Sequence, residues 1–131
     1  MKLPLVKANG NQNSFILIEK PFPDFKLNTQ EIINLCKIDN KVVDGLIIIE
    51  KINFENFQVD YFNNDGSWET LCINSLRCVG LMILKKYNLK NFIAQCGDGN
   101  HLVEIIDQNN VRVSMNPPEY RSKEIEIDGI R

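Results

Sequence analysis

The stretch "YFNNDGSWETLCINSLRC", Tyr61 to Cys78, runs from two aromatics through a polar turn and a cysteine into a strongly apolar segment. Asn63-Asn64-Asp65-Gly66 has the composition of a turn, because Asn and Asp side chains bond their own backbone and Gly accepts a positive φ. Beyond it, Ser75 to Tyr87 contains "LRCVGLMILKKY", apolar on nearly every side until its two lysines. A helix of that kind belongs inside a core. Lys85 and Lys86 suit its C-terminal end, where the macrodipole is negative. The turn therefore feeds one central buried helix, and the rest of the chain must cover it.

Strands are the evident cover. Leu3 to Ala8 and Phe15 to Glu19 read as strands joined by the turn "NGNQNS". Asn28 followed by Glu31 resembles a capping box that opens a short helix through about Cys36. "GLIIIEK" (Gly45 to Lys51) is a β-branched run, and "FQVDYF" (Phe57 to Phe62) alternates as a half-buried strand does. Phe92 to Cys96, His101 to Ile106 and Val111 to Met115 follow as short strands, joined by hairpin turns at "GDGN" and "DQNN". The expected fold class is α+β, a mostly antiparallel sheet wrapped around one central buried helix.

Length and charge narrow the function classes. The 131 residues suit one compact domain. A net charge of −2, with no Lys/Arg cluster among aromatics, argues against a nucleic-acid partner. No segment has the apolar length to span a membrane, and the N-terminus lacks the features of a secretion signal. The expected location is cytoplasmic, where Cys36, Cys72, Cys78 and Cys96 stay reduced. Their gaps match no paired zinc-ligand pattern and His101 is the sole histidine, so no metal site is expected.

Cys72 sits where the central helix begins. The first backbone N–H groups of a helix lack internal partners and carry partial positive charge. A thiol there has its pKa lowered, and a carboxylate can dock on the same amides. Together these hold an acid with a basic sulfur beside its α-carbon, the geometry for removing an α-proton. Asn63 and Asn74 offer amide hydrogen bonds to orient it. The same residues also fit a plain packing role, since a free cysteine beside an apolar helix is usually core.

These residues also carry a family resemblance. Phe62, Asn63, Asp65, Gly66, Ser67, Leu71, Cys72, Asn74, Arg77 and Cys78 match the diaminopimelate epimerase pattern Phe-Asn-x-Asp-Gly-Ser, then a hydrophobic residue before Cys-Gly-Asn-Gly-x-Arg-Cys. "KANGNQNSFILIE", "VDGLIIIE" and "VRVSMNPPEY" resemble flanking family segments in the same order. The chain thus resembles the N-terminal lobe of that family, within the cofactor-independent amino-acid racemases and epimerases. The resemblance implies residues 1–118 as this lobe and 119–131 as a tail or the start of an absent second lobe. It implies a two-cysteine proton transfer without pyridoxal phosphate, other cofactor or metal. Cys72 would be one base, with Asn13, Asn63, Ile73, Asn74 and Ser75 binding an amino-acid substrate, diaminopimelate or a relative.

The family's two glycines after the cysteine are here Ile73 and Ser75, which reshapes the pocket. The second-lobe motif, with its own cysteine, is missing. Cys78 lies about one and a half helical turns from Cys72 and is expected to face the core; Cys36 and Cys96 are expected to be structural. The site therefore needs a second-lobe polypeptide or a homodimer to complete it; the alternative is a degenerate, non-catalytic lobe that binds a ligand or a protein. His101 is expected to be a solvated residue after a turn, Lys85 and Lys86 a solvated helix end, and Asp65 and Glu69 turn and capping groups. Trp68 fits a core cap, a pocket wall or a contact.

Overall fold

A computed structural model describes residues 5–10, 13–38, 40–69, 73–107 and 110–114. Strands β1 (Leu5–Gly10) and β2 (Asn13–Glu19) form an antiparallel hairpin, Gly10 opposite Asn13. Helix α1 (Thr29–Leu35) follows, closed by the expected capping box: Asn28 Oδ1 accepts from the Glu31 N–H and Glu31 Oε1 from the Asn28 N–H, each at 2.8 Å. A small hairpin, β3 (Lys37–Ile38) and β4 (Lys41–Val42), leads into β5 (Gly45–Lys51) and β6 (Asn56–Asn63). The short β7 (Trp68–Glu69), helix α2 (Ile73–Tyr87), β8 (Asn91–Cys96), β9 (Gly99–Asp107) and β10 (Asn110–Val113) complete the order.

The main sheet runs β1-β2-β5-β6-β8-β9-β10, with β7 on β6. It is mixed but mostly antiparallel, as expected: only β2 with β5 and β6 with β8 pair in parallel among the described strands. Each parallel pair is bridged by a helix, because parallel neighbours need a crossover. Between β5 and β6 the chain reverses. Right-handed crossovers on strands of opposite direction put their helices on opposite faces, and two separate cores result. On one face α1 contributes Ile32, which packs with Ile16, Ile18, Phe25, Leu46 and Ile48. On the other, Leu76, Val79 and Ile83 of α2 pack with Phe15, Leu17, Ile47, Phe57, Tyr61 and Phe92. Strands covered on both faces have no polar side to show, which is why "GLIIIE" is apolar without alternation.

Helix α2 contacts β1 and β2 near one edge of the curled sheet and β9 and β10 at the other. It is not apolar-buried all round as its sequence implies. Leu76, Val79 and Ile83 are sealed, whereas Leu81 stays 36% exposed. Its end is solvated, with Lys85 and Lys86 exposed, and is also tied: Lys86 Nζ and the Tyr87 hydroxyl both donate to the Glu19 carboxylate at the end of β2. Among the described residues no helix is long and apolar enough to cross a membrane.

Glycine is required at Gly45. A Cβ there would lie 2.6 Å from the Phe62 carbonyl oxygen and equally close to the Tyr61 ring. Gly80 of α2 is less constrained, since its Cβ would meet side-chain methyls rather than backbone, Ile105 Cδ1 at 2.7 Å and Val103 Cγ1 at 3.2 Å. Gly45→Ala should therefore lower stability by about 1–3 kcal/mol through overpacking. Gly80→Ala should cost less, because it gains up to about 1 kcal/mol of helix propensity. Urea midpoints order the two variants; a Gly80→Ala loss equal to or larger than that of Gly45→Ala contradicts this packing.

Alkaline pH should weaken the fold. Burial raises the Cys36 thiol from 9.0 to about 11. Burial, then the charges of Asp98 and Asp60, raises Cys96 to about 12. Tyr87 is raised by burial and by its bond to Glu19, and Lys86 by its bond to Glu19. Each group holds its proton more tightly folded than unfolded, so its stabilisation is complete below the unfolded value and is lost as pH rises through the folded one. Unfolding free energy from denaturant titrations should fall from about pH 9 upward, and Cys36→Ala should flatten part of that slope. A pH-independent plateau up to about pH 11 contradicts this assignment.

Candidate active site

The turn after β6 is built by its own polar side chains. Asp65 Oδ1 accepts from the Ser67 N–H at 2.9 Å and the Ser67 hydroxyl at 2.6 Å. The Ser67 bonds, side chain first, hold the Asp65 carboxyl below its ordinary pKa. Gly66 takes a φ of +88°, and its N–H donates to the Asn63 carbonyl at 2.9 Å. This left-handed residue packs on α1, since a Cβ at Gly66 would meet Thr29 Cγ2 at 2.5 Å. Asp65 is thus the turn group its position predicts. Glu69 reaches back to the strand: its Oε1 accepts from the Asn63 amide at 3.2 Å, and Ser67 Oγ accepts from the same nitrogen at 3.1 Å.

The turn is tied sideways to the neighbouring strands. Asn64 Nδ2 donates to the Val43 carbonyl at 3.0 Å, and its N–H to the Asp44 carbonyl at 3.2 Å. Asp44 Oδ2 accepts from the Ser14 N–H at 2.8 Å, and the Asp44 N–H donates to the Ser14 carbonyl at 2.9 Å. Across the sheet, Phe15 is opposite Gly45 and Gly45 opposite Asn63. The start of β2, where Asn13 stands, and Asn63 therefore share one end of the sheet. Sequence reasoning gave Asp44 and Asn64 no role in the site; an Asp next to an obligatory Gly at a strand start was the available signal.

Ile73, Asn74 and Ser75 form the first turn of α2, which carries no acidic residue to neutralise its positive end. Ser75 is buried, 1% exposed. Cys72 and the side chains of Asn13, Ile73 and Asn74 lie outside the described residues. Chain length still limits the arrangement: Ile73 follows Glu69 by four residues, so their Cα atoms lie within about 15 Å. The start of α2 is thus tethered within that reach of Glu69, the acceptor of the Asn63 amide.

The remaining thiols and the histidine are elsewhere. Cys36 and Cys78 are core residues, 0% and 4% exposed. Cys96 is half-buried at the end of β8. His101 is not solvated: it is 1% exposed, with Nδ1 2.7 Å from the Ser114 carbonyl oxygen and Nε2 3.0 Å from Asp98 Oδ1. Its acceptor on Ser114 lies thirteen residues along the chain, which no local pattern reveals. Trp68 stands on β7, 49% exposed, and is not a core cap.

No protein-family model matches the chain. In sequence it is similar to a diaminopimelate epimerase of Pelagibacter ubique, 29% identical over 127 residues, covering 97% of this chain and 46% of that protein. A diaminopimelate epimerase of Flavobacterium psychrophilum is 34% identical over 118 residues, 86% of this chain and 45% of the relative. One from Leptospira biflexa is 33% identical over 92 residues, 70% and 33%. In fold it resembles the crystal structure of a PhzF-family phenazine biosynthesis protein of Enterococcus faecalis, with a TM-score of 0.62 at 12% identity, over 80% of this chain and 41% of that one. The PhzF-family protein of Bacillus anthracis gives 0.52 at 10%, over 85% and 37%. The chain spans less than half the length of the curated relatives named here. In sequence the chain is thus similar to diaminopimelate epimerases over less than half of their length, consistent with their N-terminal lobe.

Proposed function

We propose that this chain is the N-terminal lobe, residues 1–118, of a diaminopimelate-epimerase-like isomerase, with its sheet wrapped around α2 as the central helix and residues 119–131 leading towards a second lobe. The complete assembly inverts the α-carbon of an amino acid, diaminopimelate or a relative, without a cofactor. The substrate carboxylate docks on the first N–H groups of α2, where the helix end is positive. The Cys72 thiolate, lowered in pKa by the same amides, takes the α-proton. A thiol on the opposite face returns one, so configuration inverts and both sulfurs exchange protonation states. Asn13, Asn63 and Asn74 orient the substrate, while Ile73 and Ser75 narrow the pocket. The opposite thiol comes from a second-lobe polypeptide or a second copy, and the isolated chain is inactive.

What supports this reading is the similarity to diaminopimelate epimerases along nearly the whole chain, together with an acid-free positive helix end close in sequence to an amide-bearing turn. The replacement of two glycines by Ile73 and Ser75 favours a second reading, a degenerate lobe that binds an amino acid or a protein without turnover. Deuterium uptake at the α-carbon of diaminopimelate in D₂O separates them. The chain alone should give none, and the chain joined to a second lobe should give exchange that Cys72→Ala reduces by about 10²–10⁴-fold, the usual weight of a positioned base. Absence of exchange in the joined protein with diaminopimelate and other amino acids, or exchange indifferent to Cys72→Ala, overturns the proposal.

A further inference from the structure

Sequence spacing gave no metal pattern, yet the fold gathers Cys96, Asp98 and His101 at one end of the β8–β9 hairpin. Their potential ligand atoms all lie within 4.8 Å of one another. The register explains how: Cys96 is opposite Gly99 and His101 opposite Ala94, so both side chains sit around the turn that carries Asp98. We propose that this hairpin end is a binding site for a divalent transition metal, Zn²⁺ by its donor set, ligated by Cys96 Sγ, Asp98 Oδ1 and His101 Nε2. The inference does not rest on the epimerase reading.

The histidine carries most of the argument. The Ser114 carbonyl can only accept, so the 2.7 Å contact puts a proton on Nδ1. Nε2 is then the ligating nitrogen, and a backbone carbonyl on the other nitrogen is how metal-binding imidazoles are held. Nε2 faces Asp98 Oδ1 at 3.0 Å. A bare lone pair and a carboxylate oxygen repel at that distance, so the contact calls for a proton shared between the two or a metal ion between them. The imidazole is fully enclosed, while the Asp98 side chain keeps 31% exposure. That leaves an entry path and a fourth position for water.

Bond lengths and charge agree. Around a tetrahedral Zn²⁺ with Zn–S of about 2.3 Å and Zn–N and Zn–O of about 2.1 Å, ligand atoms stand roughly 3.4–3.6 Å apart. The present spread closes to that by side-chain rotation at Cys96 and at the turn residue Asp98. A divalent cation with one thiolate, one carboxylate and one neutral imidazole is net neutral, as a half-buried site requires. Thiolate and imidazole select Zn²⁺ or Co²⁺ over Mg²⁺ or Ca²⁺. The negative charges of Asp98 and Asp60 near Cys96 attract a cation. On binding, the metal displaces the thiol proton to solvent, and any proton on Nε2 with it. The ion would clip the hairpin to the Ser114 carbonyl beyond β10.

Co²⁺ titration of the reduced chain tests this. The expected result is one equivalent bound, with a thiolate-to-cobalt charge-transfer band and the intense visible absorption of a tetrahedral site, both displaced by Zn²⁺. Cys96→Ser should abolish the charge-transfer band and Cys72→Ser should leave it. Asp98→Asn, which keeps the side chain's size and a polar group towards His101, should weaken binding at least tenfold, and Zn²⁺ should raise the melting temperature of the parent but not of Cys96→Ser. No charge-transfer band, or one that survives Cys96→Ser, overturns the site and leaves Asp98 as the polar partner of a buried His101.

Discussion

One packing contact governs the lobe: the face of α2 bearing Leu76, Val79 and Ile83 against the aromatic side of the sheet. Those three side chains are fully buried with Phe15, Phe57 and Phe92. At about 1.5–3 kcal/mol for each buried aliphatic side chain, no polar contact among the described residues rivals it. Because α2 touches β1 and β2 as well as β9 and β10, the sheet between them has to curl. Gly80 lets Val103 and Ile105 approach the helix backbone. The position of the helix start, and so of any chemistry there, follows from this seating.

The polar corner is arranged by the opposite logic. It is held by polar side-chain bonds, local ones from Asp65 to Ser67 and Asn63 to Glu69 and cross-strand ones from Asn64 to Val43 and Asp44 to Ser14. Each fixes a rotamer, and a binding site needs its donors fixed before a ligand arrives. The described thiols that are sealed or crowded by carboxylates are poor bases, Cys36 and Cys96 having pKa values raised by burial. A helix N-terminus without a first-turn acid provides the reverse environment.

Much of the fold was legible because its signals are local. The capping box at Asn28 and Glu31, the limits of "GLIIIEK" and the glycine turn at Gly66 each depend on a few adjacent residues. The parallel pairings were not legible: an apolar run tells that both faces of β2 and β5 are covered, not which way a neighbour points. Nor was β7, two residues long on the flank of β6. Side-chain fates set by distant partners were also hidden. Lys86 is decided by Glu19, 67 residues away, and His101 by the Ser114 carbonyl. In the candidate site, the Asn63 turn could be read from composition, whereas Glu69 as its acceptor depends on how β7 folds back on β6.

The account turns on the state of one sulfur. Alkylation of the folded chain by iodoacetamide as a function of pH, with the modified cysteine assigned by peptide mapping, measures it directly. Cys36, Cys78 and Cys96 should react slowly, being buried or half-buried. Cys72 should react first, with a midpoint at least about one unit below the free-cysteine value near 8.5. A midpoint at or above that value, or protection of Cys72 until the chain unfolds, contradicts a thiolate poised at the positive end of α2.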